Sequence, residues 1–295
     1  MSHAVRTFMS AAGSVSEAGV AEAAEVAAAA LTLDAAEAAG LVGYLSRPPA
    51  ERRWSALATD GGVVMASLSV TEPETGHIDL LAVHPSAQGQ GRGRALVRAA
   101  EEWLKSQGAR QARFAGNPPC YLWPGIDVRY TAAACLAESL GYHRYDVAWN
   151  MTADLSADLS VADDLPRLER SGVRVHAADH PARAHVAAFV REQWNERWAW
   201  EAAHAAGLHY AERGGRVLGF AAWGARPGWF GPMGTSPDAR GLGVGRVLLR
   251  RCLADQRAAG QSSAQIGWVG PLRFYSHAVG ARAERVFWLY RRDLA

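Results

Sequence analysis

The chain has 295 residues, 49% of them hydrophobic and 20% charged, with a formal net charge of +2. That balance is ordinary for soluble globular domains and gives no general affinity for nucleic acid or for a membrane surface. Cys120, Cys135 and Cys252 are odd in number and lie in no metal-ligand spacing, so a disulfide framework and a metal centre are both excluded and a reducing cytoplasm is expected.

In chain order, residues 1–12 read as a frayed end, without the apolar core of a secretory signal. No apolar run later in the chain approaches the roughly 18 residues of a membrane span. Ser14–Ala30 is rich in Ala and Glu and predicts a helix, and Asp34–Leu45 predicts a second that stops before Pro48 and Pro49. Trp54–Thr59 and Val63–Val70 form a hairpin about the turn Asp60-Gly61-Gly62. A largely apolar strand, His77–Val83, then runs into a glycine-rich loop, followed by a helix to Gly108 and a strand at Gln111–Ala115. An irregular insert, Asn117–Asp127, precedes a helix over Arg129–Leu140 and a strand over Tyr142–Met151.

Residues 153–171, acidic and rich in Ser and Thr, read as a linker between domains 1–152 and 172–295. The second half predicts a strand at Gly172–His176, a helix over Pro181–Gln193 and a segment bearing Trp194, Trp198 and Trp200. Strands Leu208–Glu212, Val217–Trp223 and Trp229–Thr235 lead into a second glycine loop, and its helix ends at Gly260. A strand (Ala264–Val269), a helix (Leu272–Val279) and a last strand (Arg285–Arg291) finish the chain.

The two glycine loops are copies of one device. Pro85, Gln88, Gly91, Gly93, Leu96 and Gly108 each recur 152 residues later, as Pro237, Arg240, Gly243, Gly245, Leu248 and Gly260. A constant offset over six landmarks marks an internal duplication. Alternating glycines ahead of a helix let bare backbone approach an anion, and the helix start presents unpaired N–H groups to it. Three phosphate-binding constructions fit that outline. A P-loop needs Gly-Lys-Ser/Thr, which neither copy has, and a dinucleotide fingerprint needs G-x-G-x-x-G with an acid closing the next strand, which is missing after Gln111–Ala115.

The third is Gln/Arg-x-x-Gly-x-Gly between a strand and a long helix. Gln88–Gly93 and Arg240–Gly245, with Leu81–Pro85 and Met233–Pro237 upstream, resemble motif A of the GNAT acyltransferase superfamily, and nearly the whole chain resembles a tandem GNAT arrangement. The resemblance implies an α+β fold of two domains, each a mixed, mostly antiparallel sheet flanked by helices. It also implies acetyl-CoA as cofactor. In the first copy Leu81, Ala82 and Val83 would pair with its pantetheine arm, while Gln88, Gly89, Gln90, Gly91, Arg92, Gly93 and Arg94 would cradle its diphosphate. In the second copy the strand residues are Met233, Gly234 and Thr235, and the loop is Arg240, Gly241, Leu242, Gly243, Val244, Gly245 and Arg246. Arginines 92, 94, 98, 246, 250 and 251 resemble a cationic fringe for the carrier's remaining phosphate.

In GNAT enzymes a tyrosine on the helix before the last strand is the usual acid for the departing thiolate, and Tyr275 resembles it. The matching place in the first copy is Ala137, with Tyr121 and Tyr130 nearby as substitutes. For the base, the first copy has Asp79 on its central strand, while the second has no carboxylate between Trp229 and Ser236. Glu192, Glu196, Glu201, His204 and His209 are its candidates, beside a base acting through water. Trp194, Trp198, Trp200, Trp223 and Trp229 suit an aromatic wall around a small acceptor or a packed core. The expected activity is N-acetyl transfer to a small-molecule amine by a cytoplasmic monomer or homodimer, with the second copy catalytic. A protein or peptide acceptor, and a CoA-binding sensor without catalysis, stay open.

Overall fold

The structure, a computed structural model, describes residues 4–10, 17–49 and 51–294. It divides into two compact units, Met1–Ala148 with Val286–Ala295, and Trp149–Arg285.

The first unit contains β1 (Arg6–Ser10), α1 (Glu17–Ala30), α2 (Ala38–Leu45), β2 (Trp54–Thr59), β3 (Gly62–Leu68), β4 (Thr75–Val83), α3 (Arg92–Ser106), β5 (Gln111–Phe114), a two-residue β6 (Ile126–Asp127), α4 (Thr131–Ser139) and the start of β7 (His143–Asp154). Its sheet runs β1-β2-β3-β4-β5, antiparallel except for the parallel β4–β5 step. The C-terminal residues Tyr290–Asp293 lie antiparallel beyond β5. Side chains alternate across each strand, so the sheet has two apolar faces. Leu57 and Val64 meet Leu96, Val97, Ala100 and Leu104 of α3 on one side. Ala56, Val63, Met65 and Leu80 meet Ala23, Ala27, Leu41 and Val42 of α1 and α2 on the other.

The second unit repeats the plan. After Met151–Asp154 of β7 come α5 (Asp164–Arg170), β8 (Arg174–Ala177), α6 (His180–Gln193), α7 (Glu196–His204), β9 (Gly207–Arg213), β10 (Arg216–Trp223), β11 (Trp229–Thr235), α8 (Val244–Ala258), β12 (Ser263–Ile266), α9 (Leu272–Val279) and β13 (Arg282–Asp293). Strands β8 to β11 are antiparallel neighbours, β11–β12 is the parallel step, and β7 lies antiparallel to β12. Asp179 and Asn195 accept the Ala182 and Trp198 amides, each at 2.9 Å, and so start α6 and α7.

Three sequence expectations need correction. Part of the expected frayed end is β1, where backbone pairing of Arg6 and Thr7 with Ala58 and Leu57 ties a terminus down; residues 1–3 and 11–12, and the expected helix start at Ser14, lie outside the described residues. The expected linker carries the tail of β7 and all of α5, because Leu155, Leu159 and Leu168 are buried in the second unit's core. The expected boundary also shifts, since Val286–Ala295 belongs to the first unit, where Phe287 and Tyr290 are fully buried. The insert is irregular, as expected, and is held in place by buried polar side chains. Buried Arg52 donates to the carbonyls of Cys120, Asn117 and Pro118 at 2.5, 2.7 and 2.9 Å, and Asn117 Nδ2 donates to Ser67 Oγ at 2.8 Å.

Candidate active site

In each unit the parallel step covers only the first part of the central strand. β4 pairs with β5 at Thr75–His77 and then continues to Val83 with β3 on one flank. β11 pairs with β12 at Trp229 and Phe230 and continues to Thr235 beside β10. The strands part there, leaving main-chain donors and acceptors of Leu81–Val83 and Met233–Thr235 on the open flank. A β-bulge sits at each parting. Leu80 and Ile78 face consecutive residues of β3, making Asp79 the extra residue, and in β11 the extra length falls on Gly231-Pro232.

Beyond each central strand a short 3₁₀ turn, Pro85–Ala87 or Pro237–Ala239, delivers the glycine loop. Gly91 and Gly243 are the residues before α3 and α8, with φ of 83° and 85°, in the left-handed region that glycine takes without strain. The first i→i−4 bonds are Ala95 N–H to Gly91 O (3.0 Å) and Val247 N–H to Gly243 O (3.2 Å). The amides of Arg92, Gly93 and Arg94, and of Val244, Gly245 and Arg246, therefore precede the helical ladder. Gly89 and Gly241 face open space. Both loops are accessible, although the Val244 side chain is buried. Open amides, a helix N-terminus and an unpaired strand edge together suit a diphosphate-bearing acyl carrier, so the residues fit acetyl-CoA in both units.

The loops differ in what surrounds them. In the first, Gln88 Nε2 donates to Val83 O at 2.9 Å, Arg92 is tied to the carbonyl and carboxylate of Asp60, and Arg94 donates to Ser139 Oγ at 3.0 Å. Arg98 is paired with Glu101. In the second, Arg240 is exposed, Arg246 is paired with Asp164, and Arg250 donates to Ser160 O and Ala278 O. Arg167 of α5 also pairs with Asp164 (3.3 Å), and its guanidinium lies against Gly243, where it would overlap any Cβ. These arginines hold the Asp164 carboxyl below its ordinary pKa against the opposing effect of burial. Sequence reasoning missed Arg167 and Asp164 because the acidic stretch around them carries no strand pattern.

Leu136 of α4 packs over Gly93 as Phe274 of α9 packs over Gly245. The next residues, Ala137 and Tyr275, therefore occupy equivalent places, as the sequence alignment has them. Tyr275 is buried, with Phe274 and Phe230 edge-on at 5.0 and 6.3 Å, and burial pushes its phenol up to about 12. It stays protonated at neutral pH. The Tyr130 hydroxyl accepts the Leu33 amide at 3.0 Å.

Asp79 lies in a small cavity lined by Leu45, Pro48, Arg52, Trp54, Met65, Ala66 and Ser67. Its Oδ1 is buried without a hydrogen-bond partner. Burial raises its pKa to about 6, opposed by Arg52 and by a hydrogen bond from Ser67. Asp79 and Tyr275 fall in different units, Asp79 on the first unit's central strand and Tyr275 against Phe230 of the second's. Of the second unit's base candidates, Glu196 is paired with Arg191, His204 Nδ1 with Trp200 O, His209 with Asp255, and Glu192 is exposed. Glu201 is buried, and burial pushes its carboxyl up to about 8. The tryptophans divide. Trp194 and Trp198 stack at 5.9 Å with Trp194 lying over Gly234 of β11, whereas Trp229 sits under Arg226 at 3.3 Å and Trp223 packs on Gly207.

No helix among the described residues is long and apolar enough to cross a membrane, and no group of metal-binding side chains occurs among them.

Comparison with known proteins agrees with this geometry. The pattern of the acetyltransferase (GNAT) family matches twice, over residues 25–119 and 175–278. A mycothiol acetyltransferase of Thermomonospora curvata is 32% identical over 218 residues, 68% of each chain. One from Salinispora tropica is 32% identical over 219 residues, 65% of each, so this chain spans about two thirds of the length of these relatives. Among solved structures, a tandem GNAT protein from the clavulanic acid biosynthesis pathway superposes with a TM-score of 0.70 at 17% identity, covering 99% of both chains. A GCN5-related N-acetyltransferase from Sphaerobacter thermophilus gives 0.66 at 18%, covering 99% of this chain and 95% of that one. With the family pattern on both halves and the strand–glycine loop–helix device in both units, the chain belongs to the GNAT acetyltransferase family as a tandem member.

Proposed function

We propose that this chain is an acetyl-CoA-dependent N-acetyltransferase of a small-molecule amine, with the second unit the catalyst. The observation that carries the assignment is the buried, protonated Tyr275, packed against the strand that feeds the Gly243 loop, where the first unit has Ala137. Acetyl-CoA supplies the acetyl group and a thiolate leaving group. The amides of Val244, Gly245 and Arg246 would hold its diphosphate, with exposed Arg240 and Gly241 beside them and Leu242 and Gly243 shaping the turn. Main-chain N–H groups of Met233 and Thr235, which face away from β10 on either side of Gly234, would stabilise negative charge at the acyl carbonyl, and the Tyr275 hydroxyl would hold the proton that the thiolate leaving group needs.

The first unit binds acetyl-CoA through Leu81–Val83 and Gln88–Arg94 without turning it over, since Ala137 offers no acid. Asp79, with a pKa near neutrality, is its polar group on the acceptor side. The acceptor of the mycothiol acetyltransferases is the first substrate to test, and a cytoplasmic monomer or homodimer remains our reading of the assembly. Tyr275→Phe is expected to lower kcat by about 10²–10⁴-fold, the usual contribution of a positioned proton donor, with little change in KM. An unchanged rate across the pH range would remove the second unit's role.

A further inference from the structure

The central strand of the second unit bears no acid: Gly231 stands where Asp79 stands in the first, and Trp229–Ser236 contains no carboxylate. A buried carboxylate nevertheless lies on the neighbouring helix. Glu201 is only 8% exposed, and apart from the field of Arg197 no described residue engages it by hydrogen bond or ion pair. Desolvation penalises the charged form of an acid in that state, and such groups gather at functional sites.

Its position follows from the repeat. In the first unit the Asp79 cavity is walled by the end of α2 and the segment after it (Leu45, Pro48, Arg52), by Trp54 of β2 and by Met65–Ser67 of β3. In the second unit the helix leading into the hairpin is α7, and the ladders match Trp223 to Ala66 and Gly231 to Asp79. α7 packs against β10 and β11. Glu201 lies one turn after Trp198, on the helix face whose tryptophan meets Phe220 of β10 and stacks on Trp194 over Gly234 of β11.

We infer that Glu201 is the acceptor-binding and proton-accepting residue of the second unit, taking over from α7 the place that Asp79 holds on the central strand of the first. This rests on the acetyltransferase reading above. Its ligand is a primary ammonium. The carboxylate binds that cation, one N–H bond breaks, an O–H bond forms on Glu201, and the electron pair stays on nitrogen as the nucleophile's lone pair. Trp198, one turn before Glu201, and Trp194 stacked on it are the apolar rings next to the carboxylate's helix face.

The charged groups around Glu201 set the expected pH response. Arg197 on its own helix favours the carboxylate but is outweighed by burial. On α6, Arg183 is bound to Ala205 O and Ala206 O, and Arg191 is bound to Glu196; Glu192 is exposed, and His180 and His185 complete that helix's titratable side chains. β10 brings only Arg216, paired with Asp238, and β11 brings none. The active carboxylate therefore accumulates as pH rises towards about 8.

The test uses the full-length protein with two readouts. In carbon-13 carboxyl titration of the free protein, wild type is expected to show one glutamate titrating near 8, absent in Glu201→Gln and shifted down by n-propylammonium but not by n-propanol. In acetyl transfer to an accepted amine, Glu201→Gln is expected to lose about 10²-fold or more in kcat/KM and the rising limb of the pH profile, with Glu201→Asp recovering part of both. A carboxyl that ignores the ammonium, or a Glu201→Gln enzyme with the wild-type profile, overturns the assignment. Wild type that acetylates no amine would instead overturn the acetyltransferase reading, and the titration still reports on Glu201.

Discussion

At the residue scale burial raises the pKa of one carboxyl in each unit, Asp79 and Glu201, and the consequence for stability can be measured. Asp79 has a folded pKa of about 6 against 3.8 for the free side chain. A raised folded pKa means that the fold binds the proton more tightly than the unfolded chain, so this contribution is full below pH 3.8 and is lost as pH rises through 6. The charged form is thus destabilising at neutral pH by up to about 3 kcal/mol. Asp79→Asn is expected to raise the Tm at pH 8 and to leave it nearly unchanged at pH 4; equal shifts at both would mean the effect is packing rather than charge. The loop glycines were legible because they belong to a motif with fixed spacing, whereas Tyr275 was read from a resemblance one residue off the commoner spacing and Asp79 from its place on the central strand. The sequence did not single out Glu201 from four other candidates, since burial is a property of which face α7 turns to β10.

At the element scale, α5 is the part of the structure that composition hid. Asp154–Arg170 is acidic and carries Pro166, yet three leucines anchor it and deliver Asp164 and Arg167 to the start of α8. The guanidinium against Gly243 adds a cation to the open amides of the helix N-terminus. Arg167→Ala is expected to raise KM for acetyl-CoA about tenfold with kcat nearly unchanged, the loss of one charge-assisted contact. Steady-state kinetics at varied acetyl-CoA checks this, and a fall in kcat alone would place Arg167 outside the carrier site. The hairpins, central strands and glycine-loop helices were legible because their apolar periods and turn residues agree. β1 was not, because five residues at a terminus are stabilised by pairing rather than by their own propensity.

At the scale of the whole molecule, the duplication was readable from a constant offset, but the closing strand of the first unit was not. Sequence adjacency puts Val286–Ala295 with the second copy, whereas Tyr290–Asp293 pair with β5, and Arg292 meets Glu101 of α3 at 3.0 Å. Deleting residues 286–295 is expected to strip hydrogen-exchange protection from β4, β5 and α3 while α8 and β11 keep theirs; the opposite pattern would contradict the division into units. The central claim is that both units cradle the acyl carrier and only the second uses it. It is tested most directly by the rate of acetyl transfer in Gly241→Asp and Gly89→Asp, substitutions matched in open surroundings and in the backbone strain of a positive φ (78° and 71°), each placing a carboxylate at one cradle at a time. The account predicts that Gly241→Asp abolishes transfer while Gly89→Asp retains most of it; transfer that survives Gly241→Asp and disappears in Gly89→Asp would contradict it.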